Sequence, residues 1–303
     1  MTVIRIIYNI PKRNMEKRIT GHTELMALIA KPIRHSISPA MQNAGFRKLG
    51  LDYAYLAFEI DEEDLENTLL GLKAMKVRGC NVSMPYKTAV IPYLDHLSPA
   101  AKLIGAVNTI VNDHGVLTGH ITDGTGLMSA LKDAGEDPIG KKMVIVGCGG
   151  AATAIAIQAA IDGVKELIIY NKKDRFFPNA LETAKKITDN TQAKITVKDL
   201  DDLEALKADM HSSQYFINAT NVGMVPMDGI SYIPDLSYFR PELFVVDIIY
   251  NPQKTKLLEM AETAGCKFMN GLNMLLWQGA ASFKLWTNQD MPIDYVKEEI
   301  GFK

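Results

Sequence analysis

The stretch Val144-Ile-Val-Gly-Cys-Gly-Gly-Ala-Ala-Thr153 determines how the rest of the chain is organised. An apolar run ends at Gly147, and small residues with helical spacing follow the glycines. Gly147, Gly149 and Ala152 fit the pattern G-x-G-x-x-G/A, in which a strand, a tight glycine turn and a helix follow one another. A further apolar strand, 166–170, comes next. This order indicates a parallel α/β unit that binds a dinucleotide, and the alternative is a plain glycine-rich turn.

Each small residue of this pattern has a physical role in a dinucleotide site. Gly147 allows the tight turn, Gly149 lets the backbone approach a pyrophosphate, and Ala152 lets the helix pack closely on the sheet. Free N–H groups at the start of the helix, with the helix dipole behind them, suit a diphosphate. We therefore expect the diphosphate to be held by the backbone of Gly147, Gly149, Gly150 and Ala151.

The bulk composition is ordinary for a soluble globular protein. The chain has 303 residues, which predicts about two domains, and its formal net charge is -2. No basic block indicates nucleic acid or an anionic membrane as a partner, and no apolar run reaches the ~18 residues of a membrane span. Residues 1–18 have no ordinary signal-peptide core or small-residue cleavage site, and we interpret segment 1–20 as an N-terminal extension that precedes the fold.

The cysteines and histidines do not indicate a metal site. Cys80, Cys148 and Cys266 are far apart and odd in number, which fits neither a disulfide framework nor metal-ligand spacing. The six histidines are scattered, and none pairs with a second ligand at metal-binding spacing. We expect no metal and a reducing cytoplasm.

Strand and helix periods alternate along the chain, which predicts α/β architecture. Ser38 is a natural helix N-cap with Pro39 at the first helical position. Asp113-His114-Gly115 is a turn signal between two short strands. The predicted strands are 25–30, 53–60, 79–84, 107–112, 116–121, 143–146, 166–170, 194–197, 215–218, 243–248 and 267–269. After the helix at Ser38, the predicted helices are 61–76, one starting at 99, 122–131, 151–161, 179–188, 200–208, 255–264 and 271–286.

These elements predict one N-terminal α/β domain followed by a Rossmann-type, doubly wound dinucleotide domain. The predicted boundaries are 1–121 for the first domain and 122–270 for the second. Residues 271–303 would form C-terminal helices that pack back toward the first domain.

The residues after the second dinucleotide strand bear on the cofactor. Tyr170 ends that strand, where a ribose-binding acid is expected, and the sequence continues Asn171-Lys-Lys-Asp174. Asp174 could hold the adenosine ribose hydroxyls, whereas Lys172 and Lys173 could hold a 2′-phosphate. The alternative is a solvated charged turn, so these residues leave NAD and NADP open.

Two ionisable residues in the first half of the chain follow predicted element ends. Lys87 comes just after a strand, and Asp123 opens a helix. A positioned lysine can act as an acid or base, but spacing alone favours a surface charge for Lys87 and a helix cap for Asp123. Ser36 and Ser38 alone are likewise typical of a loop and a cap.

Taken together, these stretches resemble the shikimate/quinate dehydrogenase family from about residue 25 to the C-terminus. Eight motifs occur in family order, which is far more specific than any one of them. They are Pro32-Ile-Arg-His-Ser-Ile-Ser-Pro39, Gly79-Cys-Asn-Val-Ser-Met-Pro-Tyr-Lys87, Gly105-Ala-Val-Asn-Thr109, Thr122-Asp-Gly-Thr-Gly126, Val146-Gly-Cys-Gly-Gly150, Asn218-Ala-Thr-Asn-Val-Gly223, Asp247-Ile-Ile-Tyr-Asn-Pro252 and Leu276-Trp-Gln-Gly279.

The resemblance implies that the first domain is a substrate domain and the second a Rossmann cofactor domain, with the active site in the cleft between them. It also implies an oxidoreductase of the shikimate pathway that oxidises the C3 hydroxyl of shikimate or quinate, with hydride passing to a nicotinamide. Lys87 and Asp123 match the family's catalytic pair, and Lys87 is our choice for the proton transfer, although the two side chains could titrate as a pair. The residues that match the family's substrate-binding positions are Ser36, Ser38, Asn108 and Gln278.

Two departures from the commonest biosynthetic pattern resemble the quinate/shikimate dehydrogenase branch. Ser83 stands where the family usually has threonine, and the missing methyl leaves room for the extra C1 hydroxyl of quinate. Asn171-Lys-Lys-Asp174 stands where an NADP signature is usual, so NAD is the preferred cofactor. In the same branch, Tyr55 and Thr122 would touch substrate. The residues that would line the cofactor side are Asn221, Ile248, Gly271 and Met274.

Other functions stay open at this point. The chain could oxidise a related analogue such as an aminated shikimate, or it could be a non-catalytic nucleotide-binding regulator. Retention of both Lys87 and Asp123 argues against the regulator. The sequence leaves the oligomeric state open, with a homodimer as one option.

Overall fold

The computed structural model describes residues 19–302, and the strands there form two six-stranded sheets. The predicted extension 1–20 lies outside the described residues except for its last two positions. The division into 1–121, 122–270 and 271–303 stays a prediction, while the α/β class and the two-sheet architecture are confirmed.

The first sheet is mixed and has the strand order β2-β1-β3-β5-β6-β4. Its central strands β1 and β3 run parallel, so the loops that follow them emerge at the same edge of the sheet. Strands β5 and β6 form an antiparallel hairpin with His114 and Gly115 at φ 51° and 93°, as the predicted turn requires. The strands are β1 (Glu24–Ala30), β2 (Tyr53–Glu59), β3 (Gly79–Val82), β4 (His96–Leu97), β5 (Thr109–Asp113) and β6 (Val116–His120).

The second sheet is entirely parallel and has the strand order β12-β11-β10-β7-β8-β9. This is the predicted doubly wound order, which reverses between β7 and β10. Ligands of such sheets bind outside the carboxyl ends of the strands at that reversal. The strands are β7 (Lys142–Val146), β8 (Glu166–Asn171), β9 (Lys194–Asp199), β10 (Tyr215–Asn218), β11 (Phe244–Asp247) and β12 (Phe268–Met269).

The helices alternate with the strands, as the periodicity predicts. In chain order they are α1 (Ser38–Leu49), α2 (Leu65–Ala74), α3 (Pro99–Ile104), α4 (Asp123–Asp133), α5 (Gly150–Asp162), α6 (Phe177–Asn190), α7 (Leu203–Ser212), α8 (Lys256–Thr263), α9 (Gly271–Thr287) and α10 (Ile293–Glu299). Short 3-10 turns cover Glu62–Asp64, Ile91–Tyr93 and Leu236–Tyr238.

Helix α9 follows the second sheet but packs on the first. The indole nitrogen of Trp286 donates a hydrogen bond to the Ile110 carbonyl at 3.0 Å, and a Cβ at Gly79 would lie only 2.1 Å from that nitrogen. Phe283 is fully buried and stacks on Phe46 of α1 with 5.1 Å between ring centroids. Burial of these large rings fixes α9, and with it Gln278, against the first sheet.

Helix α4 is held between its neighbours by its two glycines. A Cβ at Gly124 would lie 2.4 Å from the Ala154 carbonyl oxygen of α5, and a Cβ at Gly126 would lie 2.7 Å from Gln278 of α9. Only glycine permits such close backbone approach. The motif Thr122-Asp-Gly-Thr-Gly126 therefore places the start of α4 against both the dinucleotide helix and α9.

Some predicted boundaries are wrong for local reasons. Ser38 is the first residue of α1 and Ile37 occupies the N-cap position, with no side-chain capping bond. The helix predicted at 200–208 begins at Leu203 instead, because the Asp202 side chain accepts a bond from Ala205 N and caps it there. Strand β3 ends at Val82, where a turn that contains Pro85 follows.

Candidate active site

Lys87 and Asp123 meet directly. The Lys87 ammonium donates a hydrogen bond to Asp123 Oδ2 with an N–O distance of 2.6 Å. The Lys87 side chain is 23% exposed and that of Asp123 is 9% exposed, so the pair is largely shielded but open on the lysine side. The interpretation of Asp123 as a helix cap is wrong, since Thr122 holds the N-cap position and the carboxylate is used by Lys87 and Asn108.

Asn108 orients Asp123 from inside the protein. Its amide nitrogen lies 3.0 Å from Asp123 Oδ1, 2.9 Å from Thr122 Oγ1 and 3.3 Å from Gln278 Oε1. Its side-chain oxygen accepts from the Thr122 N–H at 2.9 Å and from the Thr109 hydroxyl at 3.0 Å. Because Asn108 is almost fully buried and its polar atoms are engaged, it ties α4, β5 and α9 together at the catalytic pair.

A buried polar cluster lies beneath these residues and was not found from the sequence. It consists of Asn81, Thr109 and Ser282, of which Thr109 and Ser282 are fully buried. The Asn81 amide donates to Thr109 Oγ1 and to Ser282 Oγ, both at 3.1 Å, and the two hydroxyls lie 2.7 Å apart. Ser282 also donates to the Gln278 carbonyl at 3.1 Å. The available signal was the i, i+4 spacing of Gln278 and Ser282, which places both on one face of α9.

Tyr55 reaches the site from the interior of the sheet. Its side chain is fully buried, and its hydroxyl donates to Asn81 Oδ1 at 2.7 Å. Burial raises the pKa of Tyr55 well above its usual value, so the hydroxyl stays a proton donor. Tyr55 therefore supports the polar cluster through Asn81, and its predicted contact with substrate stays a prediction.

The predicted serines lie at one edge of the first sheet, Ser36 and Ser83 on loops and Ser38 at the start of α1. Ser36 follows β1, and its hydroxyl accepts from Ser38 N at 3.2 Å. Ser83 follows β3, and its N–H donates to the carbonyl of Ile29 at the end of β1. The carbonyl of Met84 also accepts from Lys31 N, which joins the two loops. The structure thus gathers the serines at the edge from which the loop leads to Lys87.

The fingerprint turn has the geometry that a diphosphate requires. Gly147 has φ +112°, and a Cβ there would lie 2.9 Å from the Ala219 carbonyl oxygen. Gly149 and Gly150 are exposed, and a Cβ built on either meets nothing within 4 Å. Helix α5 begins at Gly150, with Gly149 at its N-cap, and Ala152 is buried against the sheet. The open glycine backbone at a helix N-terminus fits a dinucleotide diphosphate.

Cys148 within this turn is a structural residue. Its thiol donates to the Phe176 carbonyl at 3.1 Å. Burial raises the pKa of Cys148, and the negative charge of Asp174 raises it further, so the thiol is protonated. The contact ties the fingerprint turn to the loop that follows β8.

The loop after β8 presents Asp174 and turns its two lysines to other partners. Asp174 is exposed, and its Oδ1 accepts from Phe176 N at 2.8 Å and lies 3.5 Å from the Asn171 amide nitrogen. Lys172 lies over the ring of Tyr232, with 5.7 Å from its ammonium to the ring centroid. Lys173 pairs with Asp199 at 3.5 Å.

Three of the four predicted cofactor-side residues come together at the start of α9. A Cβ at Gly271 would lie 1.8 Å from the Ile248 carbonyl oxygen, so only glycine fits there. Met274 is buried one turn further along α9, and Ile248 is half-buried. Asn221 is exposed on the loop after β10, where its carbonyl accepts from Met224 N.

Neither a metal cluster nor a membrane span was found in the described part of the chain. Within residues 19–302, no three His, Cys, Asp or Glu side chains are grouped as metal ligands would be. No helix in that range is long and apolar enough to cross a membrane.

Comparison with known proteins decides the family. Residues 28–110 match the shikimate dehydrogenase substrate binding domain, and residues 271–300 match the shikimate 5'-dehydrogenase C-terminal domain. A shikimate dehydrogenase (NADP(+)) from Listeria monocytogenes serotype 4b is 59% identical over 282 residues, or 93% of this chain and 97% of that protein. The chain belongs to the shikimate dehydrogenase family. It is an NAD(P)-dependent oxidoreductase.

Solved structures of the family have the same architecture. Shikimate 5-dehydrogenase from Listeria monocytogenes, in complex with shikimate and NAD, is similar with a TM-score of 0.91 and 58% identity. The match covers 95% of this chain and 100% of that one. Quinate dehydrogenase from Corynebacterium glutamicum, in complex with NAD, matches with a TM-score of 0.81 and 28% identity over 92% of this chain and 98% of that one.

Proposed function

We propose that this shikimate dehydrogenase family member reversibly oxidises the C3 hydroxyl of shikimate, quinate or both, to 3-dehydroshikimate or 3-dehydroquinate. The observation that carries the proposal is the 2.6 Å contact of Lys87 with Asp123. The pair lies at the same edge of the first sheet as the predicted serines. Asn108 donates to Asp123 and also contacts Gln278. NAD(P), when bound, supplies a nicotinamide that accepts the hydride from C3.

Lys87 is the residue that receives the hydroxyl proton in this proposal. The Lys87 ammonium first releases a proton to solvent. The resulting amine takes the hydroxyl proton as the substrate O–H bond breaks and hydride leaves C3. Asp123 binds the same hydroxyl and fixes the amine through its Oδ2, while Asn108 holds its other oxygen at 3.0 Å. Because Lys87 is 23% exposed, the proton can pass on to solvent. Positioned proton transfer of this kind contributes roughly 10²–10⁴-fold to rate.

The remaining polar groups are proposed to hold the substrate carboxylate and ring hydroxyls. Ser36 and Ser38 are suited to the carboxylate because Ser36 precedes α1 and Ser38 is its first residue, at the N-terminus where the helix dipole favours an anion. Gln278, Thr122 and Asn108 then face the ring hydroxyls. In this structure their amide and hydroxyl groups bond to one another, so substrate would share or replace some of these bonds. Tyr55, whose hydroxyl donates to Asn81, is proposed to contact the substrate from the sheet side of the site.

We propose NAD as the preferred cofactor. The exposed carboxylate of Asp174 would accept bonds from ribose hydroxyls and repel a 2′-phosphate. Lys172 lies over the ring of Tyr232, and Lys173 pairs with Asp199. This supports the choice of NAD, because neither ammonium is paired with Asp174 and the negative charge of Asp174 is left to repel a 2′-phosphate. Asn171, Asn221, Ile248, Gly271 and Met274 complete the proposed cofactor side.

One assay tests the proposal. The rate of nicotinamide reduction, followed by absorbance, is measured with shikimate and with quinate, each with NAD and with NADP. The proposal expects turnover of at least one of the two acids and a larger kcat/KM with NAD. Turnover of neither acid, with an aminated analogue accepted instead, would overturn the substrate assignment.

The cellular setting is part of the same proposal. Cys80, Cys148 and Cys266 are free and buried, which suits the reducing cytoplasm that we propose for this enzyme. A homodimer remains a prediction, and light scattering of the purified protein checks it.

A further inference from the structure

Asp247 is a buried carboxylate that the proposed chemistry does not use. It is the last residue of β11 and is fully buried. Its Oδ1 accepts from the Asn218 amide at 3.0 Å and from Ile249 N at 3.1 Å, and its Oδ2 accepts from the Thr255 hydroxyl at 2.6 Å. Burial of a charge lowers stability unless hydrogen bonds compensate, so an apolar residue at this strand end would avoid the free-energy cost of burying the carboxylate. Within residues 19–302 it has no ion-pair partner within 4.0 Å.

The first donor, Asn218, organises the loop after β10. Its amide also donates to the Val222 carbonyl at 3.2 Å, and its Oδ1 accepts from Thr220 N and from the Thr220 hydroxyl at 2.7 Å. The loop 219–223 is therefore hydrogen-bonded to the side chain of Asn218, which in turn is bonded to Asp247. This loop carries Asn221, and its Ala219 carbonyl abuts the fingerprint turn.

The other two donors close the loop after β11. Ile249 N and the Thr255 hydroxyl bind the two oxygens of Asp247, and Thr255 is also the N-cap of α8. These two bonds hold both ends of the loop 248–255 at Asp247, the last residue of β11. The Ile249 carbonyl accepts from Gly271 N at 2.9 Å, and the Ile248 carbonyl is the group that excludes a Cβ at Gly271.

We propose that Asp247 is a positioning residue for the cofactor, since its carboxylate fixes at once the two loops that carry Asn221 and Ile248. This inference rests on the proposed cofactor side of the site. Both loops follow neighbouring parallel strands, paired in register at Asn218 and Asp247, at the sheet edge where dinucleotides bind. Loss of the carboxylate frees both loops while the strands stay paired.

The test is cofactor affinity measured without turnover. Dissociation constants of NAD and of NADP, and separately of shikimate, are measured by calorimetry for the wild type, Asp247→Ala and Asp247→Asn. In Asp247→Ala we expect cofactor affinity to fall roughly tenfold or more, with shikimate affinity within about twofold of the wild type. Asp247→Asn keeps an oxygen for Asn218 and Ile249, and its amide can donate to Thr255, so we expect it to retain most of the affinity.

Thr255→Val, with Thr255→Ser as its matched control, covers the case in which Asp247→Ala does not fold. Valine keeps the shape and removes the hydroxyl, so it is expected to weaken cofactor binding, whereas serine is expected not to. Wild-type-like cofactor affinity in folded Asp247→Ala, or in Thr255→Val where the first does not fold, overturns the inference. If the wild type itself binds neither NAD nor NADP, the proposed function fails instead, so the two failures are distinct.

Discussion

Asp123 has its two carboxylate oxygens divided between two partners: Lys87 at 2.6 Å and Asn108 at 3.0 Å. The division fixes the carboxylate plane and leaves the lysine as the more exposed member of the pair. Asn108 is in turn tied to Thr122 and Gln278, so elements from both halves of the chain converge on one carboxylate. An amine held in this way needs little reorganisation to meet a substrate hydroxyl.

Replacement of Lys87 by alanine is expected to lower kcat at least ~10²-fold with little change in KM, because the proton-transfer group is lost while the substrate contacts remain. Steady-state kinetics with the better of shikimate and quinate measure both constants. Lys73→Ala is the matched control, since Lys73 pairs with Asp95 at the surface of the first sheet. An intact kcat in Lys87→Ala would remove the lysine from the proton transfer and leave Asp123 as the candidate.

Exchange of Ser83 for threonine tests the substrate branch. The added methyl would occupy the space proposed for the C1 hydroxyl of quinate, and forcing one extra methyl into a filled site costs about 1–3 kcal/mol. We therefore expect kcat/KM for quinate to fall about tenfold and that for shikimate to fall less. Ser98→Thr serves as the control, because threonine retains the hydroxyl that caps α3. Equal losses with both acids would contradict the argument from the missing methyl.

The fingerprint turn and the fold class could be predicted from local sequence, whereas the pairing of Lys87 with Asp123 was expected only from the family resemblance. The parts that were missed depend on long-range packing. The fingerprint glycines, the His114-Gly115 turn and the doubly wound order depend on local conformation and periodicity. Ser282 was missed because a lone serine in an apolar helix carries no local sign of a polar partner. Its buried partners are brought to it only when α9 packs on the first sheet. The start of α7 was predicted at residue 200 from apolar spacing alone, whereas the Asp202 cap sets it at Leu203.

The same cause explains the residues whose surroundings differ from expectation. Tyr55 and Asn108 have partners within the protein that were not predicted from the sequence: the Tyr55 hydroxyl donates to Asn81, and the Asn108 amide donates to Thr122 and Asp123. Their contacts with substrate stay predictions. Nothing in their local sequence shows that Asn81 and Thr122 lie within hydrogen-bond distance. Such partners depend on how β3, β5, α4 and α9 come together, and that arrangement is long-range.

Asp174→Asn separates charge from geometry in cofactor choice. The asparagine oxygen can still accept from Phe176 N, so the loop after β8 keeps its shape while its charge is lost. Repulsion of a 2′-phosphate should then fall, and we expect the ratio of kcat/KM for NADP to that for NAD to rise about tenfold. Asp189→Asn is the control, because Asp189 lies on α6 in a surface pair with Lys185. A ratio that does not move would show that the charge of Asp174 has no part in the choice.

Asp247 gives stability an unusual pH dependence. Burial raises its pKa to about 6, against the opposing hydrogen bonds from Thr255, Ile249 and Asn218, whereas an unfolded aspartate titrates near 3.9. Between those pH values the folded protein holds a proton that the unfolded chain has lost. The contribution of Asp247 to the free energy of unfolding is therefore fully present below about pH 4 and declines by up to about 3 kcal/mol as the pH rises through about 6.

Urea unfolding of the wild type and Asp247→Asn at several pH values between about 4 and 7 measures this effect, because asparagine cannot titrate. The stability of the wild type relative to Asp247→Asn should fall as the pH rises across that window. Asp209→Asn is the control. Burial opposes ionisation of Asp209 as well, but hydrogen bonds from Lys198, Tyr170 and Lys142 leave its pKa below the usual value. Its contribution is therefore lost only as the pH falls below about 4, so the difference for Asp209→Asn should stay flat across this window, and an equally flat difference for Asp247→Asn would contradict the raised pKa of Asp247.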